Sequence, residues 1–244
     1  MKTGILLIHG FTGSPNSMAW LAEEFKRRGF TVAVPKLCGH GGQPDDLIGC
    51  TYKDWLADAE GALRQLQKTC DSIIIAGLSL GGAISIYLAS KYRVNGIVTM
   101  AAPFCVSIWT RTFAWLFYPF VKYQYKDDGP DINDKSALKN MNSYNLYPTI
   151  VSHEVFKFLK IMRKVIHTIN CPVLVLHGEN DHVVDVENAD KIMEALTTPV
   201  KMKKTFNKSY HILSLDFDKA EVRDSILNFI TQNIEKVSAP TIQT

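Results

Sequence analysis

Short apolar runs alternate with amphipathic stretches along most of the chain, and this alternation limits the possible folds more than any other feature. Residues 4–8, 31–34, 72–76, 96–100, 173–176 and 201–206 read as strands, bounded by glycine, proline or polar residues. Residues 18–28, 52–67, 79–91, 153–167, 186–196 and 220–234 read as helices. In residues 52–67 the apolar positions Trp55, Leu56, Ala59, Leu63 and Leu66 recur at helical spacing. Strands that are apolar on both faces require helices on both faces. With right-handed crossovers, the chain winds into a doubly wound, mostly parallel α/β sheet. Ligands and chemistry in such sheets gather at the carboxyl ends of the strands.

One stretch breaks the alternation, with no strand evident from about residue 102 to 168. Its first part carries Phe104, Trp109, Phe113, Trp115, Phe117, Tyr118 and Phe120, and a polar loop with Pro130 and Pro148 follows. We read residues 1–103 and 169–244 as the core. Residues 104–168 read as an inserted cap subdomain over the strand ends, its last helix returning to the core. The aromatics can pack the cap or line an acyl pocket, with Phe104, Trp109, Phe113 and Phe117 as candidate substrate contacts. A lipid-facing outer surface is a further reading of the same stretch.

The sharpest motif is Gly77-Leu78-Ser79-Leu80-Gly81, at the junction of strand 72–76 and the following helix. In a G-x-S-x-G elbow the turn is so tight that the flanking residues have no room for side chains, and the serine stands exposed above the sheet. The helix N-terminus beneath it offers N–H groups to a developing anion. A serine hydroxyl is a weak nucleophile until a base takes its proton. In folds with this elbow the partners follow in the order Ser, Asp, His, each after a later strand. The strand at 173–176 runs into His177-Gly178-Glu179-Asn180-Asp181-His182, and the last strand into Asn207-Lys208-Ser209-Tyr210-His211. Ser79, Asp181 and His211 are therefore the candidate catalytic residues. Glu179 and Asp185 are rival acids; the first falls close to the strand end, and the second reads as the N-cap of the next helix. His182 is a rival base, but it adjoins Asp181 in sequence and cannot easily share a triad with it. The loop His9-Gly10-Phe11-Thr12-Gly13 follows the first strand. With the backbone N–H of Leu80, that of Phe11 is a candidate oxyanion hole. His9 and His40 read as structural.

These motifs, with Gly96-Ile97-Val98-Thr99-Met100-Ala101-Ala102-Pro103, resemble the bacterial carboxylesterases and monoacylglycerol lipases of the α/β-hydrolase fold. The resemblance spans roughly residues 4–103 and 170–235. It implies a serine carboxylic ester hydrolase that works through an acyl-enzyme on short-to-medium acyl esters or monoacylglycerols. It also implies that the insertion is a cap over the acyl pocket. Thioesterase, acyltransferase and carbon–carbon hydrolase chemistry are alternatives on the same triad, and a catalytically weak ligand-binding protein is a further one. Two departures stand out: the chain begins almost at the strand before the oxyanion loop, and Tyr210 replaces a usual glycine.

Composition narrows the partners. A net charge of +3, with 46% hydrophobic and 21% charged residues, gives no nucleic-acid footprint. Lys201, Lys203 and Lys204 fit the wet face of an edge strand. Five scattered cysteines without CxxC spacing argue against a disulfide framework or a zinc site and for a reducing compartment. No metal or organic cofactor is expected. With only residues 5–8 apolar at the start, we expect a cytoplasmic protein.

Overall fold

The structure is a computed structural model that describes residues 2–105, 121–125, 129–141 and 143–235. Its strands are β1 (Thr3–Ile8), β2 (Thr31–Ala33), β3 (Ser72–Leu78), β4 (Gly96–Met100), β5 (Tyr123–Tyr125), β6 (Leu146–Pro148), β7 (Val173–Gly178) and β8 (Lys201–Phe206). Six of them form one sheet in the order β2-β1-β3-β4-β7-β8, and every pairing in it is parallel. Ile5 lies beside Ile74, Ile75 beside Ile97 and Val98 beside Leu174. The expected doubly wound sheet is present.

Strand geometry sends successive side chains to opposite faces, so each strand feeds two cores. Leu6, Ile8, Ile73, Ile75, Ile97, Val173 and Val175 pack beneath α2 (Tyr52–Gln67), α3 (Leu80–Lys91), α4 (Thr149–Val165) and α5 (Glu187–Ala195). Ile5, Leu7, Ile74, Ala76, Val98 and Leu174 pack against α1 (Asn16–Lys26) and α6 (Lys219–Ile230). Trp55 and Phe158 are fully buried in the first core, Phe25 in the second. Each fully buried side chain of this size stabilises the fold by roughly 1.5–3 kcal/mol. At the sheet edge, Lys201 and Lys203 of β8 are exposed as expected, whereas Lys204 is half-buried because successive strand residues point to opposite faces.

The topology fixes where chemistry can occur. From β1 the chain moves out to β2, then crosses back to β3 on the other side of β1. The loops leaving β1 and β3 thus face each other across a crevice at the strand ends.

Three expectations need correction. Between β4 and β7 the chain does contain strands: β5 and β6 pair antiparallel, Tyr123 opposite Pro148. At three residues each they are too short to produce a readable period. Helix α4 begins at Thr149, not near residue 153, because Pro148 occupies its N-cap in an extended conformation. The cysteines also depart from the expectation of free, scattered thiols. Cys38 and Cys50 are disulfide-bonded, with Cα atoms 6.0 Å apart. Left-handed turns at Gly39, Gly41 and Gly49, the short 3₁₀ turn Pro44–Leu47 and the burial of Leu37 and Leu47 fold this loop back on itself. Cysteine counting cannot detect such a closure, and the bond removes the argument for a reducing compartment. Among the described residues, no helix is long and apolar enough to cross a membrane.

Candidate active site

The turn after β3 holds Ser79 at φ 53°, ψ −118°, a conformation that side-chain-bearing residues rarely adopt. Neighbouring contacts hold it there. The Ser79 N–H donates to the Met100 carbonyl at 2.8 Å, and its own carbonyl accepts from the N–H groups of Gly82 at 2.9 Å and Ala83 at 3.2 Å. A Cβ on Gly77 would lie 2.1 Å from the Gly81 carbonyl oxygen, and one on Gly81 would lie 2.1 Å from that of Ile8. Only glycine fits at these two positions, so the motif carries the turn itself.

Asp181 leaves the loop after β7, and His211 the loop after β8. His211 Nδ1 lies 2.7 Å from Asp181 Oδ2. The Asp181 side chain is fully buried, and its other oxygen accepts from the N–H groups of Val183 and Val184, both at 2.8 Å. Burial alone would raise its pKa. The facing His211 and the hydrogen bonds from His177, His211 and Val184 outweigh that and hold the carboxyl well below the usual range. An ionised Asp181 fixes the His211 tautomer with the proton on Nδ1 and leaves Nε2 as the acceptor. The rival acids do not reach His211. Glu179 is exposed and accepts from Thr205 Oγ1 at 2.7 Å; Asp185 is exposed, and Val186 rather than Asp185 occupies the N-cap of α5. His182 is exposed and points to Asp131 at 2.8 Å.

Ser79, His211, Phe11 and Leu80 line one cavity of about 510 Å³ at the ends of β1 and β3. Leu80 opens α3, where the first N–H groups have no intrahelical acceptor. Phe11 lies in the turn closed by the Gly13 N–H on the Gly10 carbonyl at 3.2 Å. Leu78, Met141, Tyr147, Val155, Phe156 and Ile212 give the cavity an apolar wall.

Residues 1–218 match the family described as serine aminopeptidase, S33. The chain belongs to this α/β-hydrolase family. It is 32% identical over 232 residues to the thermostable monoacylglycerol lipase of Bacillus sp. (strain H-257), covering 94% of this chain and 91% of that protein. It is 26% identical to a carboxylesterase of Bacillus subtilis (strain 168), over 93% of this chain and 91% of the relative. A solved structure of metagenome-derived lipolytic enzymes, LipS and LipT, aligns with a TM-score of 0.89 at 32% identity, covering 95% of this chain and 94% of that one. The monoacylglycerol lipase of Paleococcus ferrophilus aligns at 0.78 over 94% of each chain, and at 18% identity it shows the shared fold. The chain is a serine ester hydrolase.

Further residues of the hydrolase shape the site. His9 is fully buried and accepts the Leu37 N–H on Nε2 at 3.2 Å; burial lowers its pKa to about 4. His40 packs against His9, Phe11 and Trp55, and its Nδ1 meets the Cys38 carbonyl at 2.9 Å. Both histidines are buried and hydrogen-bonded to the backbone of the 37–38 segment. Phe104 is half-buried and does not line the cavity: its N–H donates to Asn188 Oδ1 and its carbonyl accepts from Arg163. Trp109, Phe113 and Phe117 lie outside the described residues.

Three contributors escape the sequence pattern. His177 Nε2 lies 2.8 Å from the Val184 carbonyl and 3.2 Å from Asp181 Oδ2, so it backs the acid from inside β7. Its signal is a polar side chain ending an otherwise apolar strand. Tyr144 donates its backbone N–H to the Thr12 carbonyl at 3.0 Å and its hydroxyl to the Gly39 carbonyl at 2.9 Å, bracing the early loop. Asp131 accepts from the backbone N–H groups of both His182 at 3.0 Å and His211 at 3.3 Å. Nothing local in the sequence marks Tyr144 or Asp131.

Proposed function

We propose that this hydrolase cleaves short-to-medium acyl esters, monoacylglycerols included, by two-step acyl transfer on Ser79. His211 Nε2 takes the Ser79 proton as Oγ attacks the ester carbonyl, and Asp181 orients the imidazole and stabilises its charged form. The backbone N–H groups of Phe11 and Leu80 hold the oxyanion. Protonated His211 then hands its proton to the departing alcohol. Water, deprotonated by His211, attacks the acyl-enzyme, and His211 returns that proton to Ser79 Oγ as the acid leaves. The observation that carries this reading is the 2.7 Å contact between His211 and a fully buried Asp181, beside a cavity that His211 shares with Ser79. Residues 104–168 act as a cap on residues 1–103 and 169–244. The contribution of Gln124, Met141, Tyr147 and Phe156 to the cavity supports that division.

A chain-length series of p-nitrophenyl esters, run beside monoacylglycerols and amino-acid arylamides, tests the substrate class. Each methylene taken into the apolar wall should add up to ~0.8 kcal/mol of binding, so kcat/KM should climb with acyl length and fall once the cavity is full. Tyr147→Ala should move the optimum to longer chains. A flat series in wild type, or faster cleavage of the arylamides, contradicts the acyl-ester reading.

A further inference from the structure

The loop that carries His211 is held on consecutive backbone amides by two carboxylates, Asp216 from its own end and Asp131 from a distant part of the chain. Asp216 is fully buried, and its hydrogen-bond partners among the described residues are backbone N–H groups. Oδ2 accepts from Asn133 and Tyr210, and Oδ1 from Asp134 and Phe217, each at 2.8 Å. Asp131 Oδ2 accepts the next amide, that of His211, at 3.3 Å, and its carbonyl accepts the N–H of Ile212 at 3.3 Å. Asn133 Nδ2 completes the junction by donating to the Lys208 carbonyl at 2.8 Å.

A buried carboxylate without a counter-charge is costly unless each oxygen is saturated by donors. Asp216 meets that condition with the N–H groups of an irregular loop, groups that would otherwise be orphaned inside the protein. Residues 131–134, which lie between β5 and β6, are thereby fastened to residues 208–212, on which His211 stands. Nothing in regular secondary structure fixes that loop.

We propose that Asp216 and Asp131 are positioning residues for the reaction, gripping the amides of Tyr210 and His211 so that the imidazole faces Ser79. The proposal rests on the assignment of His211 as base and of Ser79 as nucleophile. Asp216 and Asp131 hold the loop through the backbone N–H groups of Tyr210 and His211, and Asp131 also lines the cavity that His211 shares with Ser79. A misplacement of about 1 Å in a catalytic group is enough to lower turnover by about a hundredfold.

The Asp216→Asn variant offers one acceptor oxygen where the fold needs two, and its amide NH2 must face two N–H donors. Turnover should be expressed per site, with sites counted from the endpoint of fluorophosphonate labelling. A merely structural role lowers the count of active sites and leaves kcat per site unchanged. We expect kcat per site to fall roughly 10- to 100-fold, with KM within about threefold of wild type. Asp131→Asn, at a less buried position, should lower kcat per site by about three- to tenfold. If Asp216→Asn does not fold, Asp131→Asn decides alone. A kcat per site within about twofold of wild type in every folded variant of the pair overturns the proposal. If wild type is not labelled at Ser79, the nucleophile assignment fails instead, and the two failures are thus distinguishable.

Discussion

Acidification from pH 7 to 4.5 should destabilise the fold by about 2 kcal/mol through His9 alone. The imidazole titrates at 6.5 in an open chain and at about 4 where it is buried. Its folded pKa is lowered, so the unfolded chain binds more protons throughout the window between those values. The contribution is therefore complete above pH 6.5, declines as the pH falls through the window, and is lost below pH 4. Its full size is about 3 kcal/mol, from the distance between the two pKa values. The structural cause lies on Nε2, which accepts the Leu37 N–H. A proton there sets two donors against each other, two residues before Phe11. The perturbation to use is His9→Gln, whose amide oxygen can accept that N–H but does not titrate. Urea unfolding at pH 7 and at pH 4.5 gives the pH penalty for each protein, and contributions from Asp181 and other carboxylates cancel in the comparison. The penalty should shrink by about 2 kcal/mol in the variant. An identical penalty in the two proteins would refute the argument, because His9 would then titrate alike in the folded and unfolded chains.

Asp181→Asn should lose about four orders of magnitude in turnover, since an amide favours the wrong histidine tautomer, whereas Asp185→Asn and Glu179→Gln should lose little; steady-state kinetics on one ester checks the ranking, and its reversal moves the acid. The disulfide closes a loop between positions 12 apart, so Cys38→Ser with Cys50→Ser should lower stability by about 3 kcal/mol, measured by denaturant unfolding. An unchanged unfolding midpoint would show that the bond contributes nothing to the fold.

The sequence and the structure agree where a feature is local. Apolar runs located all six strands of the main sheet, and residues 52–67 matched α2 end to end, because burial on a fixed period is written into consecutive residues. The elbow was legible for the same reason: Gly77 and Gly81 are demanded by backbone atoms only a few residues away or in the neighbouring strand. The 2.7 Å meeting of Asp181 and His211 joins two loops that the strand order already made neighbours. What could not be read depends on distant partners. Asp131 meets the histidine loop across about 80 residues, Tyr144 braces Thr12 across more than 100, and Cys38 meets Cys50 across the turns that lie between them. Asp216 left one trace, a charge following the apolar run Ile212-Leu213-Ser214-Leu215. A buried carboxylate there calls for donors, but which donors is a property of the fold.

The central claim is that Ser79 is the nucleophile of this ester hydrolase. The most direct test is to treat the wild-type protein with a fluorophosphonate, digest it and locate the adduct by mass spectrometry, with Ser79→Ala in parallel. A nucleophilic Ser79 predicts one adduct per chain, on Ser79, no adduct in the variant, and a loss of ester turnover on the order of a thousandfold or more with the fold intact. An adduct that persists in Ser79→Ala, or turnover within about tenfold of wild type, contradicts it.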